Sequence, residues 1–133
     1  MPGVDFPQPA GKGGEALIFV RIFGGFIALC HLGGLAGAVV PLFLSTAFKS
    51  SSHLAITFVS LAHHIVALVT AAMLFIGLRT ARFGLLLVIA LSIAHCLFIL
   101  PHSVVLGIAG FGFGLMLYIP PLVLIYWHPE EFR

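Results

Sequence analysis

The sequence predicts an all-α integral membrane protein, a four-helix bundle running up-down-up-down with both termini on the cytoplasmic side. Three observations carry this reading. Of 133 residues, 61% are apolar and only 8% charged, whereas charged residues make up roughly a quarter of a soluble domain. Four apolar runs have the length of membrane spans, since a helix rising about 1.5 Å per residue needs ~20 residues to cross a hydrocarbon core of about 30 Å. The few cations are also sorted. Lys12, Arg21, Arg79, Arg82 and Arg133 fall on one side of such an arrangement and Lys49 alone on the other, and the positive-inside rule assigns the crowded side to the cytoplasm or the equivalent face of an organelle. The expected setting is therefore a bacterial inner membrane or an organellar membrane.

Residues 1–14 are rich in proline and glycine and read as a flexible N-terminal tail. The acid Asp5 and the absence of a short apolar core behind basic residues argue against a cleavable signal. One transmembrane domain is expected over 15–128. Its first span runs from Leu17 to Leu44, with Glu15 favourably placed in the first turn and Arg21 able to snorkel to the near interface. Gly24, Ala28, His31, Gly34 and Ala38 recur at helical spacing, a stripe of small residues that lets a neighbouring helix approach. Pro41 is expected to bend or end that helix. After a polar connection at Ser45–His53, the second span covers Leu54–Leu78, with Thr57, Ser60, His64, Ala67 and Ala71 on one face. The third covers Phe83–Leu100 and turns sharply at Pro101-His102-Ser103, so it should lie antiparallel to the fourth, Val104–Trp127. Gly107, Gly110 and Gly114 share a face of that last span, and Tyr118, Tyr126 and Trp127 are expected near an interface, where amphipathic rings gather. Residues 129–133 read as a short polar C-terminal tail. Gly24, Gly34, Gly107, Gly110 and Gly114 are the expected helix-packing positions.

The polar exceptions inside these runs are histidines. His31 lies 14 residues beyond Leu17, His63 lies 15 before Leu78, and His95 lies 12 after Phe83. These offsets correspond to depths of roughly 21, 22 and 18 Å from the basic side. An unpartnered polar group at that depth costs several kcal/mol, so intramembrane histidines mark a candidate site. His31, His63, His64 and His95 are the candidate cofactor-binding residues, for haem b or a quinone. Three readings stay open. The imidazoles can tie helices together by hydrogen bonds. They can serve a quinone-type redox site, because imidazole exchanges protons near neutral pH. They can also ligate a metal or haem iron. No HExxH, CxxC or CxxCH motif is present, and no residue is assigned as a metal ligand.

Other chemistries are poorly served. No Asp or Glu falls within the four spans, which argues against paired carboxylates. Ser60, Thr70 and Ser92 therefore lack an acid to orient a base, and no catalytic residue is assigned. Cys30 and Cys96 lie inside spans and read as small apolar side chains. The small, dispersed net charge of +2 argues against nucleic acid as a partner.

The stretch AHHIVALVTAAMLFIGLRTARFGLLLVIALSIAHCLFIL, with its turn Gly77-Leu78-Arg79-Thr80 and nearby Arg82, resembles the second and third helices of the DoxX-like family of small four-span membrane proteins. The opening RIFGGFIALCHLGGLAG is similar to that family's first helix, and together the two stretches cover about half of the chain. The resemblance implies a four-helix bundle coupled to membrane oxidoreductases, in thiosulfate:quinone oxidoreduction or redox-stress complexes. Where the family commonly has an acidic residue early in the second helix, this chain has His63-His64, so a role for that carboxylate does not carry over. The expected function is an accessory or structural subunit of a larger membrane complex, redox or respiratory. Its partners would be the lipid bilayer and other membrane subunits or further copies of itself. The alternatives are a quinone-reactive or haem b protein using the histidine layer, and a small biosynthetic membrane enzyme with histidine acid-base chemistry.

Overall fold

The computed structural model describes residues 14–44 and 51–133, with side chains at 14–40 and 54–133. Among these residues every regular element is helical: α1 Glu15–Leu44, α2 Ser51–Phe75, α3 Ala81–Ile99 and α4 Val104–Trp127, followed by a single 3-10 turn at Pro129–Glu131. Each of the four long helices has the length and apolarity to cross a membrane. The N-terminal tail up to residue 13, including Lys12, and most of the Ser45–His53 connection, including Lys49, lie outside the described residues.

The helices form a closed ring in which α1 packs on α2, α2 on α3, α3 on α4, and α4 returns to α1. Buried between them are Val20 and Ile27 of α1, Ala67, Ala71 and Leu74 of α2, Leu85 and Val88 of α3, and Tyr118 and Ile125 of α4. Small residues set the spacing of the first pair. A Cβ added to Gly24 would sit 3.1 Å from the Ala71 carbonyl oxygen and 3.2 Å from Leu74 Cβ, so α1 and α2 are in near-backbone contact there. The outside is the reverse of a soluble surface: Val105, Met116 and Trp127 are each about three-quarters exposed, and at most 28% of any candidate span is buried. Contiguous apolar surface of that extent calls for lipid or a partner rather than water.

The helix ends follow local chemistry. α2 stops at Phe75, earlier than the expected Leu78, because Gly77 takes a left-handed φ of +75°. Leu78 N–H then donates to the Met73 carbonyl and Gly77 N–H to the Leu74 carbonyl, the two reversed bonds of a Schellman ending. Ser103 caps α4 by accepting from Leu106 N–H at 3.3 Å. α1 runs through Pro41 to Leu44, the expected limit of the first span, so Pro41 does not end it, and α4 holds Pro120 and Pro121 within its length. Neither proline supplies an N–H, so the carbonyls one turn earlier in α4 lose a ladder donor, a loss that nearby packing must offset.

The last residues are not a trailing polar tail either. Phe132 is buried in the core cluster, Arg79 N–H donates to the Arg133 carbonyl at 2.6 Å, and Arg133 N–H donates to the Gly77 carbonyl at 3.0 Å. Glu131 accepts from Leu17 N–H at 3.1 Å, a carboxylate on an open N–H in the first turn of α1. Arg82 lies over the rings of Phe83 and Tyr126, with 4.8 and 5.5 Å to the centroids. The start of α1, the α2–α3 turn and the C-terminus are thus stitched together at the arginine-rich end of the bundle.

Candidate functional site

Each helix contributes a polar side chain to one buried cluster: His31 from α1, His63 and His64 from α2, Ser92 and His95 from α3, and Tyr118 from α4. His31 and His63 are 5% and 8% exposed, Ser92 7% and Tyr118 2%. His31 Nδ1 faces His64 Nδ1 at 2.8 Å, and His31 Nε2 faces the Tyr118 hydroxyl at 2.5 Å. His63 Nε2 lies 2.9 Å from Ser92 Oγ and 3.4 Å from the Tyr118 hydroxyl. The ring of His95 is 5.9 Å from that of His63, centroid to centroid.

The donors in this network follow from one fixed point. Ser92 Oγ donates to the Val88 carbonyl at 2.9 Å, so toward His63 it can only accept. His63 therefore carries its proton on Nε2, and its Nδ1 holds a lone pair. That Nδ1 is buried with no hydrogen-bond partner among the described residues. With the Nε2 proton of His63 directed to Ser92, Tyr118 is free to donate to His31 Nε2, and His31 Nδ1–H donates in turn to His64 Nδ1. The result is a relay from phenol through one imidazole to another.

The cluster forms the floor of a cavity of about 240 Å³ lined also by Cys30, Cys96 and the apolar side chains of Leu106, Phe111 and Phe113. Cys30, Leu106, Gly110 and Phe113 are exposed at its rim, so it opens sideways through the outer face of the bundle. Apolar walls around a few convergent polar groups are the usual character of a small-ligand pocket. Among the described residues no carboxylate lines it, the Asp and Glu of the chain being Asp5, Glu15, Glu130 and Glu131.

The four expected histidines are brought together, with His31, His63 and His64 in one contact group and His95 at its edge. The glycines divide. A Cβ on Gly34 would fall within 2.7 Å of His64 Nε2, so this glycine makes room for the His64 ring. Gly107 lies against Leu100 at 3.2 Å, and Gly114 against the Tyr118 ring at 3.2 Å. Gly110 is corrected: nothing lies within 4 Å of its added Cβ, and it lines the cavity instead of packing a helix. Gly84, not anticipated, abuts the Thr70 side chain.

Tyr118 is the main correction. It is not an interfacial ring but a buried member of the polar cluster, while Tyr126 and Trp127 are exposed. The missed signal was its distance from the helix end. Nine residues before Trp127 place it about 13 Å inside the span, too deep for a headgroup contact. Cys30 and Cys96 also line the cavity beside their histidine neighbours, although adjacent helical positions point about 100° apart. Both thiols are free. Comparison with known protein families, with curated proteins and with solved structures gives no match to this chain.

Proposed function

We propose that this chain is a four-span, up-down-up-down membrane protein with both termini on the cytoplasmic side, serving as an accessory subunit of a larger membrane redox complex. Its contribution would be a quinone-type headgroup site in the lateral cavity. The observation that carries this reading is the cavity itself, with imidazole and phenol hydrogen-bonding groups at its floor, apolar walls and a mouth in the lipid-facing surface. A lipid-soluble ligand reaches such a mouth without leaving the bilayer. Neutral imidazole can donate to a quinone carbonyl or accept one of the two protons that hydroquinone oxidation releases, the other leaving through the cavity mouth and the two electrons passing to the partner complex. The Tyr118–His31–His64 relay, whose hydrogen bonds all point toward His64, would pass a proton from the phenol to the His64 imidazole.

A quinone headgroup suits the site better than haem b. Two axial imidazoles need their nitrogens roughly 4 Å apart, twice a metal–nitrogen bond of about 2 Å, on opposite sides of a porphyrin. His31 and His64 share a hydrogen bond at 2.8 Å, so this pair would have to break it and part to hold a porphyrin between its rings. The arginine-rich end, where the α2–α3 turn meets the C-terminus, supports the orientation. The Gly77-Leu78-Arg79-Thr80 turn, one of the stretches on which the DoxX-like resemblance rests, joins α2 to α3.

The test is purification from native membranes, followed by titration of the isolated protein with decylubiquinone. We expect co-purification with larger subunits, and stoichiometric binding that His31→Ala and His64→Ala abolish. Binding that ignores both substitutions, or no binding by intact protein, would overturn the site.

A further inference from the structure

We propose that His31, His63 and His64 form a binding site for one monovalent soft metal ion, Cu(I), held by three imidazole nitrogens at the floor of the cavity. Each of the three residues offers a ring nitrogen within 4.8 Å of the others. A three-coordinate ion with bonds of about 2.0 Å separates its ligand nitrogens by roughly 3.5 Å. The 2.8 Å His31–His64 spacing and the 4.8 Å limit for the set bracket that value, so side-chain adjustments of about an ångström complete the site.

Two features go beyond proximity. The first is the lone pair on His63 Nδ1, buried and without a partner among the described residues, an unsatisfied acceptor that a bound cation would satisfy. The second is a ready outer shell. Metal-bound histidines characteristically donate their second ring N–H to a fixed acceptor. Here His31 has Tyr118 behind Nε2 and His63 has Ser92, itself anchored on the Val88 carbonyl. Coordination through Nδ1 would keep the His63–Ser92 bond, move the His31 proton to Nε2 so that the His31–Tyr118 bond reverses with His31 as donor, and replace the His31–His64 hydrogen bond.

Charge selects the ion. The ligands are neutral, and no Asp or Glu occurs between Glu15 and Glu130. The cost of placing an ion in low dielectric rises with the square of its charge, so Zn(II) would cost about four times as much as Cu(I) with nothing to neutralise it. Imidazole suits copper, and the thiols of Cys30 and Cys96 on the cavity wall offer soft ligands along an entry path. The ion and the relay use the same His31–His64 pair and are alternative states of the site, and because the copper test contains no quinone its failure is distinguishable from failure of the quinone reading.

The test is anaerobic titration of the detergent-solubilised full chain with Cu(I) against bicinchoninate, with Zn(II) against a competing chelator in parallel. We expect one Cu(I) per chain, affinity lowered on the order of 100-fold or more in His31→Ala and His64→Ala, no change in His128→Ala, and weaker Zn(II) retention. X-ray absorption on the unaltered protein should show nitrogen neighbours without sulfur, which keeps the proposal testable if the alanine variants misfold. No Cu(I) retention would overturn it. So would Zn(II) held as tightly as Cu(I), or sulfur ligation that is lost in the Cys30→Ser/Cys96→Ser variant.

Discussion

Tyr118 shows how much a single polar atom decides inside an apolar bundle. Its ring fills the centre between the helices, and its hydroxyl meets the ring nitrogens of two histidines. Removing only that oxygen leaves the packing intact but strips His31 Nε2 of its partner, which for a buried group costs about 1–3 kcal/mol. Tyr118→Phe is accordingly expected to lower the thermal unfolding midpoint in detergent while retaining helical content. It should also weaken decylubiquinone binding about tenfold, because His31 no longer holds a defined tautomer. An unchanged midpoint and affinity would show that the phenol is only a space-filling ring. The histidines themselves were legible as residues out of place in hydrocarbon. Their hydrogen-bond partners were not, since Ser92 and Tyr118 have ordinary roles at helix surfaces and interfaces, and nothing local distinguishes a serine that caps an imidazole from one that bonds its own backbone.

At the scale of the helix, glycine spacing was readable but glycine function was not. The same stripe rule picked out Gly34, against which the His64 ring lies, and Gly110, which faces open space. Gly34→Ala should force His64 to rotate or α1 and α2 to part, destabilising the bundle by about 1–3 kcal/mol and weakening ligand binding. Gly110→Ala is expected to be neutral or stabilising by up to about 1 kcal/mol through helix propensity. Equal effects of the two in a denaturation series would contradict the assigned contacts. Gly77 is a different case, required by its φ of +75° and by the close approach of Leu17 Cδ1, 2.7 Å from an added Cβ. Gly77→Ala should cost about 1–2 kcal/mol for the left-handed backbone alone, visible as a lowered midpoint, and should loosen the adjoining C-terminal strap.

For the whole molecule, the proposed topology makes a prediction about sides. Reporters inserted in the Arg79–Arg82 turn and after Arg133 should both read cytoplasmic, and one in the Pro101–Ser103 turn should read external. Opposite locations for the first two would break both the charge-based orientation and the backbone bonds that join Arg79 to Arg133 and Arg133 to Gly77. Those bonds also revise the C-terminus, whose charged letters suggested a solvated tail while Phe132 reaches into the core.

The number, type and approximate limits of the long helices were settled by the sequence alone, because covering backbone polar groups in hydrocarbon leaves few alternatives to a helix of about twenty apolar residues. The common depth of His31, His63 and His95 followed from the same rise per residue. Which side chains meet was decided only by the tertiary structure. Depth is a one-dimensional quantity, whereas contact also needs the rotation of each helix about its axis and its neighbour in the ring. Those are set by the fit of Gly24 to Ala71, Gly34 to His64 and Gly84 to Thr70, and that fit is what turns separate histidines into a cluster with Tyr118 and Ser92.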